Sequence, residues 1–482
     1  LVLSSLLFSF FQSCNHAASA FNTSKYTPEN PYSAWVPLKG SAVVTSRYCE
    51  ALIPPSFADG AELSLAELID IGLQNNPNTK ITWAEARSAA AGYGQTLAAY
   101  YPELVGASTY MRERQTFVFG TSPQQEFASA QPFYLTTITP ELTLTYIIFD
   151  FGQRRNTSET ARQALFEADW VHNFEIQAVI QTIMNNYYNY LYQKELLSAK
   201  VADLDNACMS LDASEEKFKY GVANLNDVAQ AKSNYFQAKI SFISQQKEVE
   251  NSFALLATQI GLPANIPFSV QGLPSKICME PILDDIQHLL EKAQNYRADL
   301  HAAEANVRSK EAGVRVAELA SWPKVNGLFD FGKNWYSGGF TEDYHFTAAV
   351  SLNFPLFKGF YFQNGIKIAK AQLEESKATL LDVELNIIKD VTTFYQNFKT
   401  AIDTMKFSED YVEAAKIEFD SAIQNYKAGT TTILTVLSAQ SSLANARSQL
   451  ASSKKDWYTS LAGLAYATGS LCPVNEEGPC ID

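Results

Sequence analysis

The chain has 482 residues, a formal net charge of -14 and a pI near 5.0. So acidic a chain repels a nucleic-acid backbone, and no nucleic acid is expected as a partner. Only 18% of its residues are charged, below the ~25% of a typical soluble protein. Asn, Gln, Ser, Thr and Tyr supply the polarity instead, which suits an enclosed aqueous lumen or a packed wall of several chains.

Residues 1–13 include an apolar run too short to span a bilayer and read as a signal-like segment whose start is trimmed. Two endings are open. Phe11-Gln12-Ser13-Cys14 loosely resembles a lipobox, which would leave an acylated Cys14, palmitate among its chains, at the mature N-terminus. Ala18-Ser19-Ala20 is an A-x-A cleavage site. Lipidation at Cys14 is the favoured reading. Residues 14–62, with Pro28, Pro31, Pro37, Pro54 and Pro55, read as an extended arm. No later apolar run reaches the length of a transmembrane helix, so a membrane span would have to be made of strands.

Repeat 1 is placed at 63–262. Ser64 and Glu67 fit a capping box at a helix start, Pro77 interrupts that helix, and Pro102 stops it. Residues 103–119 and 133–149 change to a period of two: Leu142, Leu144, Tyr146 and Ile148 alternate with Thr143, Thr145 and Ile147, which is strand patterning. From Gln153 to Tyr220 there is neither glycine nor proline. As one helix this run would be about 100 Å long and would need other long helices beside it. Gly221 ends it and a further uninterrupted run follows. After an inter-repeat segment, 263–281, repeat 2 (282–470) shows the same order, with strands at about 325–336 and 345–356 around Ser337-Gly338-Gly339. A second glycine- and proline-free run extends from Ile366 to Ala428, and residues 471–482 form a tail.

The copies align residue by residue. Gly152 matches Gly359 at an offset of 207, and Gly221 matches Gly429 and Gly261 matches Gly469 at 208. Val228/Val436, Ala231/Ala439 and Ala238/Ala446 follow the same offset. The fold class is therefore α+β, a duplicated unit of helix, strand, strand, very long helix and helix. Leu197, Val201, Leu204, Cys208 and Leu211, and Leu381, Leu385, Ile388, Thr392 and Tyr395, step by three and four and are expected to form the seams between long helices, with Cys208 a small core residue.

Four strands cannot close a lipid-facing barrel, whose smallest bacterial forms have eight, and open edges are not tolerated in lipid. Chains must pool their strands: two would give eight and three twelve, and a conduit favours three or more. His16, His172, His288, His301 and His345 lie scattered without metal-ligand spacing, no C-x-x-C occurs, and no phosphate loop or nucleophile elbow is present. Cys49 and Cys278 lie in the segments before each repeat, and Cys472 and Cys480 flank a tail suited to a small disulfide loop in an oxidising compartment. No enzyme, cofactor or metal site is expected.

Phe149-Asp150-Phe151-Gly152 and Phe354-Pro355-Leu356-Phe357-Lys358-Gly359 resemble the strand-to-helix signature of the TolC-like outer membrane efflux proteins. Phe218-Lys219-Tyr220-Gly221 and Tyr426-Lys427-Ala428-Gly429 resemble that family's helix-to-helix turns. The resemblance covers about 62–470, and the arm with Cys14 resembles the lipoprotein branch. It implies a homotrimer whose twelve-stranded β-barrel, in the outer membrane of a Gram-negative bacterium, joins a long α-helical barrel in the periplasm. It implies a passive exit duct of a tripartite efflux or type I secretion system. The partners would be outer membrane lipid, a periplasmic adaptor (membrane fusion) protein and an inner-membrane RND or ABC transporter.

It also implies a periplasmic gate near the turn glycines Gly221 and Gly429. Asp227 and Tyr426 match the family's gate aspartate and tyrosine. Thr431 stands at the gate arginine position, and Thr435 and Ser438 stand where some members carry acidic rings. A hydroxyl offers one neutral hydrogen bond where arginine offers a charged, bidentate link, and lost carboxylates weaken the field at a constriction. The expectation is a less tightly latched, less cation-selective closed end. Asp227 equally fits a residue that only stabilises a helix N-terminus. The competing reading is a structural protein of the surface or periplasm, with coiled-coil stalks and no pore.

Overall fold

The computed structural model describes residues 27, 28, 30–33, 35, 62–119, 129–265, 267–272, 285–336 and 343–471. Cys14, the other cysteines apart from Cys208, the signal-like segment, most of the arm and the tail lie outside them. Repeat 1 begins with β1 (Glu62–Leu63), α1 (Leu65–Asn75) and α2 (Pro77–Leu97). It continues with β2 (Glu103–Phe119), β3 (Ser129–Phe149), α3 (Gln153–Lys219) and α4 (Leu225–Gln259). The inter-repeat segment holds β4 (Ser269–Val270), and repeat 2 has α5 (Ile286–Tyr296), α6 (Ala298–Leu319), β5 (Lys324–Tyr336), β6 (Asp343–Asn353), α7 (Tyr361–Ala428) and α8 (Ile433–Ala467). The long helices have 67 and 68 residues and their successors 35 each, so the duplication carried by the glycine spacing is structural. Among the described residues no helix is long and apolar enough to cross a membrane.

Local chemistry sets the boundaries. The Ser64 side chain accepts from the Glu67 amide while the Glu67 carboxylate accepts from the Ser64 amide, closing a capping box. β3 starts at Ser129, ahead of the expected 133, and runs through Pro132 and Pro140. Its ladder to β5 skips Thr139 and Pro140, because proline has no N–H to give. β6 stops at Asn353 rather than 356, short of Pro355. α7 starts at Tyr361, five residues ahead of Ile366, and takes Gly365 into its first turns.

The described chain forms two compact units. One comprises 88–167 and 304–379, and the other 27–87, 168–303 and 380–471. The first holds the antiparallel sheet β2-β3-β5-β6. The second holds the parallel pair β1-β4 and the main apolar clusters. In one cluster Leu68, Ile71, Val179, Ile183, Leu256 and Ile260 meet; in another Ala231, Phe419, Ile423, Tyr426, Ile433, Val436 and Leu443.

Within the single chain the expected seam residues are not the most buried ones, although Leu211 and Tyr395 pack against apolar clusters. Val201, Cys208, Leu381, Leu385 and Ile388 are exposed, and Leu197, Leu204, Leu211, Thr392 and Tyr395 are half-buried. The buried face of α3 here is Asp203, Asn206, Ala207, Ser210, Ala213 and Ser214. On α7 it is Ile387, Val391, Phe398, Ala401, Met405, Ala415, Phe419, Ala422 and Tyr426. Both buried faces keep a spacing of three and four, and Cys208 is exposed rather than a core residue of the single chain. Small and hydrogen-bonded side chains let α3 pack closely: Gln440 accepts from Ser210 Oγ (3.4 Å) and Asn234 Nδ2 (3.1 Å), and Arg447 Nη1 donates to Asp203 Oδ1 at 2.9 Å.

Candidate functional site

Two places bear on function: the four-stranded sheet and the paired helix turns. In the sheet, alternation sorts side chains by face. One face carries Leu104, Tyr110, Tyr134, Ile138, Leu142, Tyr146, Ile148, Phe329, Phe331, Trp335, Tyr344, Phe346, Val350 and Leu352. These apolar groups face outward, with Phe346 at 72%, Val350 at 73% and Leu352 at 67% exposure. The opposite face is mainly polar: Thr137, Thr139, Glu141, Thr143, Thr145, Asp330, Asn334, His345 and Thr347, all but Thr347 partly or fully covered, lie there with the apolar Val105, Met111, Ile147 and Leu328. Aromatic rings gather at both ends of the apolar face. Toward the β2–β3 loop, Arg114 lies over Tyr134, and Lys333 over Trp335 and Tyr344. Toward the helices, Phe151 packs on Phe149 (4.6 Å) and Trp322 (5.0 Å). Asp150 ties this corner by accepting from the Gly152 and Arg154 amides and from Arg154 Nε at 3.1 Å. An apolar outer band flanked by aromatic girdles, backed by a polar face, is the pattern of a lipid-facing barrel wall.

At the helix turns, the α3 C-terminus closes with Val222 N donating to Lys217 O (2.9 Å) and Gly221 N to Phe218 O (3.0 Å). Thr430 and Gly429 donate to Asn425 and Tyr426 in the same pattern at the end of α7. Both are Schellman motifs with a left-handed glycine. The next helix starts differ. Asn224 and Asp227 form a reciprocal capping box on α4. Thr432 and Thr435 hold the equivalent positions on α8, where no side-chain cap bond forms and the two hydroxyls stand 3.4 Å apart.

Asp227 is thus a capping residue, and its charge also reaches Tyr426: burial, then Asp227, raises the pKa of the Tyr426 hydroxyl. Tyr426 is a core residue at 3% exposure, its ring lies 4.2 Å below Lys217 Nζ, and its hydroxyl has no hydrogen-bond partner among the described residues. The two residues are thus electrostatically linked, with no hydrogen bond between them among the described residues. Thr431 is half-buried, whereas Thr435 and Ser438 are exposed. Lys217 was missed by sequence reasoning; its place one turn before Gly221 was the available signal.

A second buried polar group was also missed. Asp169 is fully buried, neither carboxylate oxygen has a partner among the described residues, and desolvation pushes its pKa up to about 9. One turn on, His172 Nδ1 sits 2.9 Å from Thr82 Oγ1. Burial lowers its pKa to about 4, against a smaller opposing effect of the Ser33 backbone.

The profile of the Outer membrane efflux protein family matches residues 68–262 and 289–470. Protein CyaE of Bordetella pertussis is 23% identical over 422 residues, 87% of this chain and 86% of that one. The pyoverdine export outer membrane protein OpmQ of Pseudomonas putida is 25% identical over 429 residues, 88% and 90% of the two chains. The crystal structure of the Campylobacter jejuni CmeC outer membrane channel superposes with a TM-score of 0.75 at 18% identity, covering 92% of this chain and 94% of that one, which establishes the shared fold. With both repeats matched over most of their length, the chain belongs to the outer membrane efflux protein family.

Proposed function

We propose that this chain is one subunit of a homotrimeric, passive exit duct in a Gram-negative outer membrane. It serves a tripartite efflux or type I secretion system and has no enzymatic role. The observation that carries the reading is the sheet: an exposed apolar face with aromatic ends, a polar opposite face, and outer strands β2 and β6 that each lack a second neighbour among the described residues. Lipid accepts neither unpaired edge, and three such sheets give twelve strands, enough for a pore. The partners in this reading are outer membrane lipid, a periplasmic adaptor and an inner-membrane RND or ABC transporter, with lipidation at Cys14 as the anchor. Purified protein reconstituted in planar bilayers is expected to conduct as an oligomer. A water-soluble monomer that inserts into no vesicle would overturn the proposal.

The gate in this reading is formed by Asp227, Tyr426, Thr431, Thr435 and Ser438 about the turn glycines Gly221 and Gly429. Tyr426→Phe removes a hydroxyl without a partner inside the described chain, so its expected cost to folding is under about 0.5 kcal/mol. Combined with Asp227→Asn, it is expected to raise closed-state conductance several-fold. Unchanged leak and antibiotic sensitivity in the double variant would remove both residues from the gate.

Thr435→Asp tests the departure of repeat 2 from repeat 1. The substitution restores the missing half of a capping box and is expected to stabilise the α8 start by about 0.5–1 kcal/mol. It also restores a carboxylate at an exposed position and is expected to shift reversal potentials toward cation selectivity. A Tm gain without any change in selectivity would leave the capping role and exclude the constriction role.

A further inference from the structure

The polar face of the sheet brings together three side chains that are distant in sequence. Glu141 on β3 lies opposite Gly332 on β5, and Gly332 lies opposite His345 on β6, so the three form one cross-strand row. Asp330 stands in the next row of the same face. One ligand atom from each of Glu141, Asp330 and His345 falls within 4.8 Å of the other two. Donor atoms of a tetrahedral site at about 2.1 Å lie about 3.4 Å apart, so a closure of up to about 1.4 Å completes the set. We propose that Glu141, Asp330 and His345 form a binding site for a divalent transition metal of the zinc class.

The central glycine makes the site possible. A Cβ on Gly332 would lie 2.5 Å from His345 Cε1 and 2.9 Å from Nε2, so the imidazole occupies the space that any other residue would fill. The remaining polar atoms already have partners suited to hold the ligands. Thr143 Oγ1 donates to Asp330 Oδ1 at 3.0 Å, leaving Oδ2 turned to His345 Nε2 at 3.3 Å. Asn334 sits 3.3 Å from His345 Nδ1, and Thr139 Oγ1 lies 2.8 Å from the other end of that amide. Rotating the amide lets its oxygen accept from Nδ1–H, which frees Nε2 for a metal; such outer contacts fix the tautomer and ring of ligating histidines. One imidazole with two carboxylates suits Zn²⁺, Co²⁺, Ni²⁺ or Cu²⁺, whereas Mg²⁺ and Ca²⁺ take more oxygen ligands. A bound dication cancels both carboxylate charges on this face.

The test is titration of the purified full chain in detergent with Co²⁺, followed by Zn²⁺ competition. The wild type is expected to bind one Co²⁺ per chain at this site, with visible bands of nitrogen and oxygen ligands. Zn²⁺ displaces it and millimolar Mg²⁺ does not. His345→Gln, Asp330→Asn and Glu141→Gln are each expected to weaken binding at least about tenfold, and Asn334→Ala about tenfold, with sheet circular dichroism unchanged. Absence of binding, thiolate-type bands, equal competition by Mg²⁺, or unaltered affinity in both His345→Gln and Asp330→Asn would overturn the proposal. Metal binding requires only the folded sheet, so its failure leaves the conducting role standing.

Discussion

Asparagine in place of Asp169 is expected to stabilise the protein, by a margin that widens with pH. Burial raises the carboxyl from 3.8 to about 9, so the folded chain keeps a proton that the unfolded chain sheds. Between those values each pH unit weakens folding by about a factor of ten. The contribution is fully present below about pH 4 and is lost as pH rises through about 9. His172 acts in the opposite sense. Its pKa falls from 6.5 to about 4, so stability is lost as pH drops across that interval.

Between about 4 and 6.5 these two contributions oppose each other, and above that only the Asp169 loss continues, to about 9. Asp169→Asn removes the Asp169 slope and leaves that of His172 in place, so the gap in Tm between variant and native chain widens from about pH 4 to about 9. At neutral pH the amide is expected to gain on the order of a few kcal/mol, less whatever its own missing hydrogen bonds cost. Thermal unfolding from acid to alkaline pH measures this, and parallel curves for the two proteins would refute the assignment.

Alanine at Gly261 or Gly469 is expected to be among the most damaging single changes in the helical unit. Both glycines have φ in the left-handed region, +76° and +72°, which costs an L-residue about 1 kcal/mol. Both also press on backbone. A Cβ at Gly261 would lie 2.7 Å from the Asn75 carbonyl, and one at Gly469 would lie 2.6 Å from the Tyr296 oxygen. Backbone at a helix end cannot swing aside as a side chain can, so overpacking adds about 1–3 kcal/mol. The total is about 3 kcal/mol at each position. Gly221 and Gly429 provide the control: their φ values are +74° and +84°, with nothing within 4 Å of the added atom. Alanine there is expected to cost about 1 kcal/mol. Equal losses of Tm at all four glycines would show that conformation, not the helix-to-helix approach, sets the penalty.

What the sequence revealed follows from how local each signal is. The capping box at Ser64, the proline stops and the paired glycines act within a few residues, and the elements they mark are present in the structure. Alternation along β3 sorted apolar Leu142 and Tyr146 from Thr143 and Thr145, and the faces divide that way. The buried face of the single chain was not legible, because a helical spacing has several phases and the most apolar one lies partly exposed. Asp203, Ser210 and Gln440 are buried through hydrogen bonds to one another's elements, which no single-helix pattern discloses. The same holds for Asp169, whose burial is a property of its neighbours. Resemblance located Asp227 and Tyr426, and the helix-start alternative for Asp227 was also readable; the capping partner Asn224 and the burial of Tyr426 came from the structure. His345 meets Glu141 solely through strand register.

The unequal starts of α4 and α8 have a consequence for what secures each hairpin. Duplication supplied two equivalent hairpins, and only the first retains a two-way clasp just past its bend. Amides in the opening turn of α8 lack that clasp and rely instead on the burial of Ile433 and Val436 to hold the helix start in place.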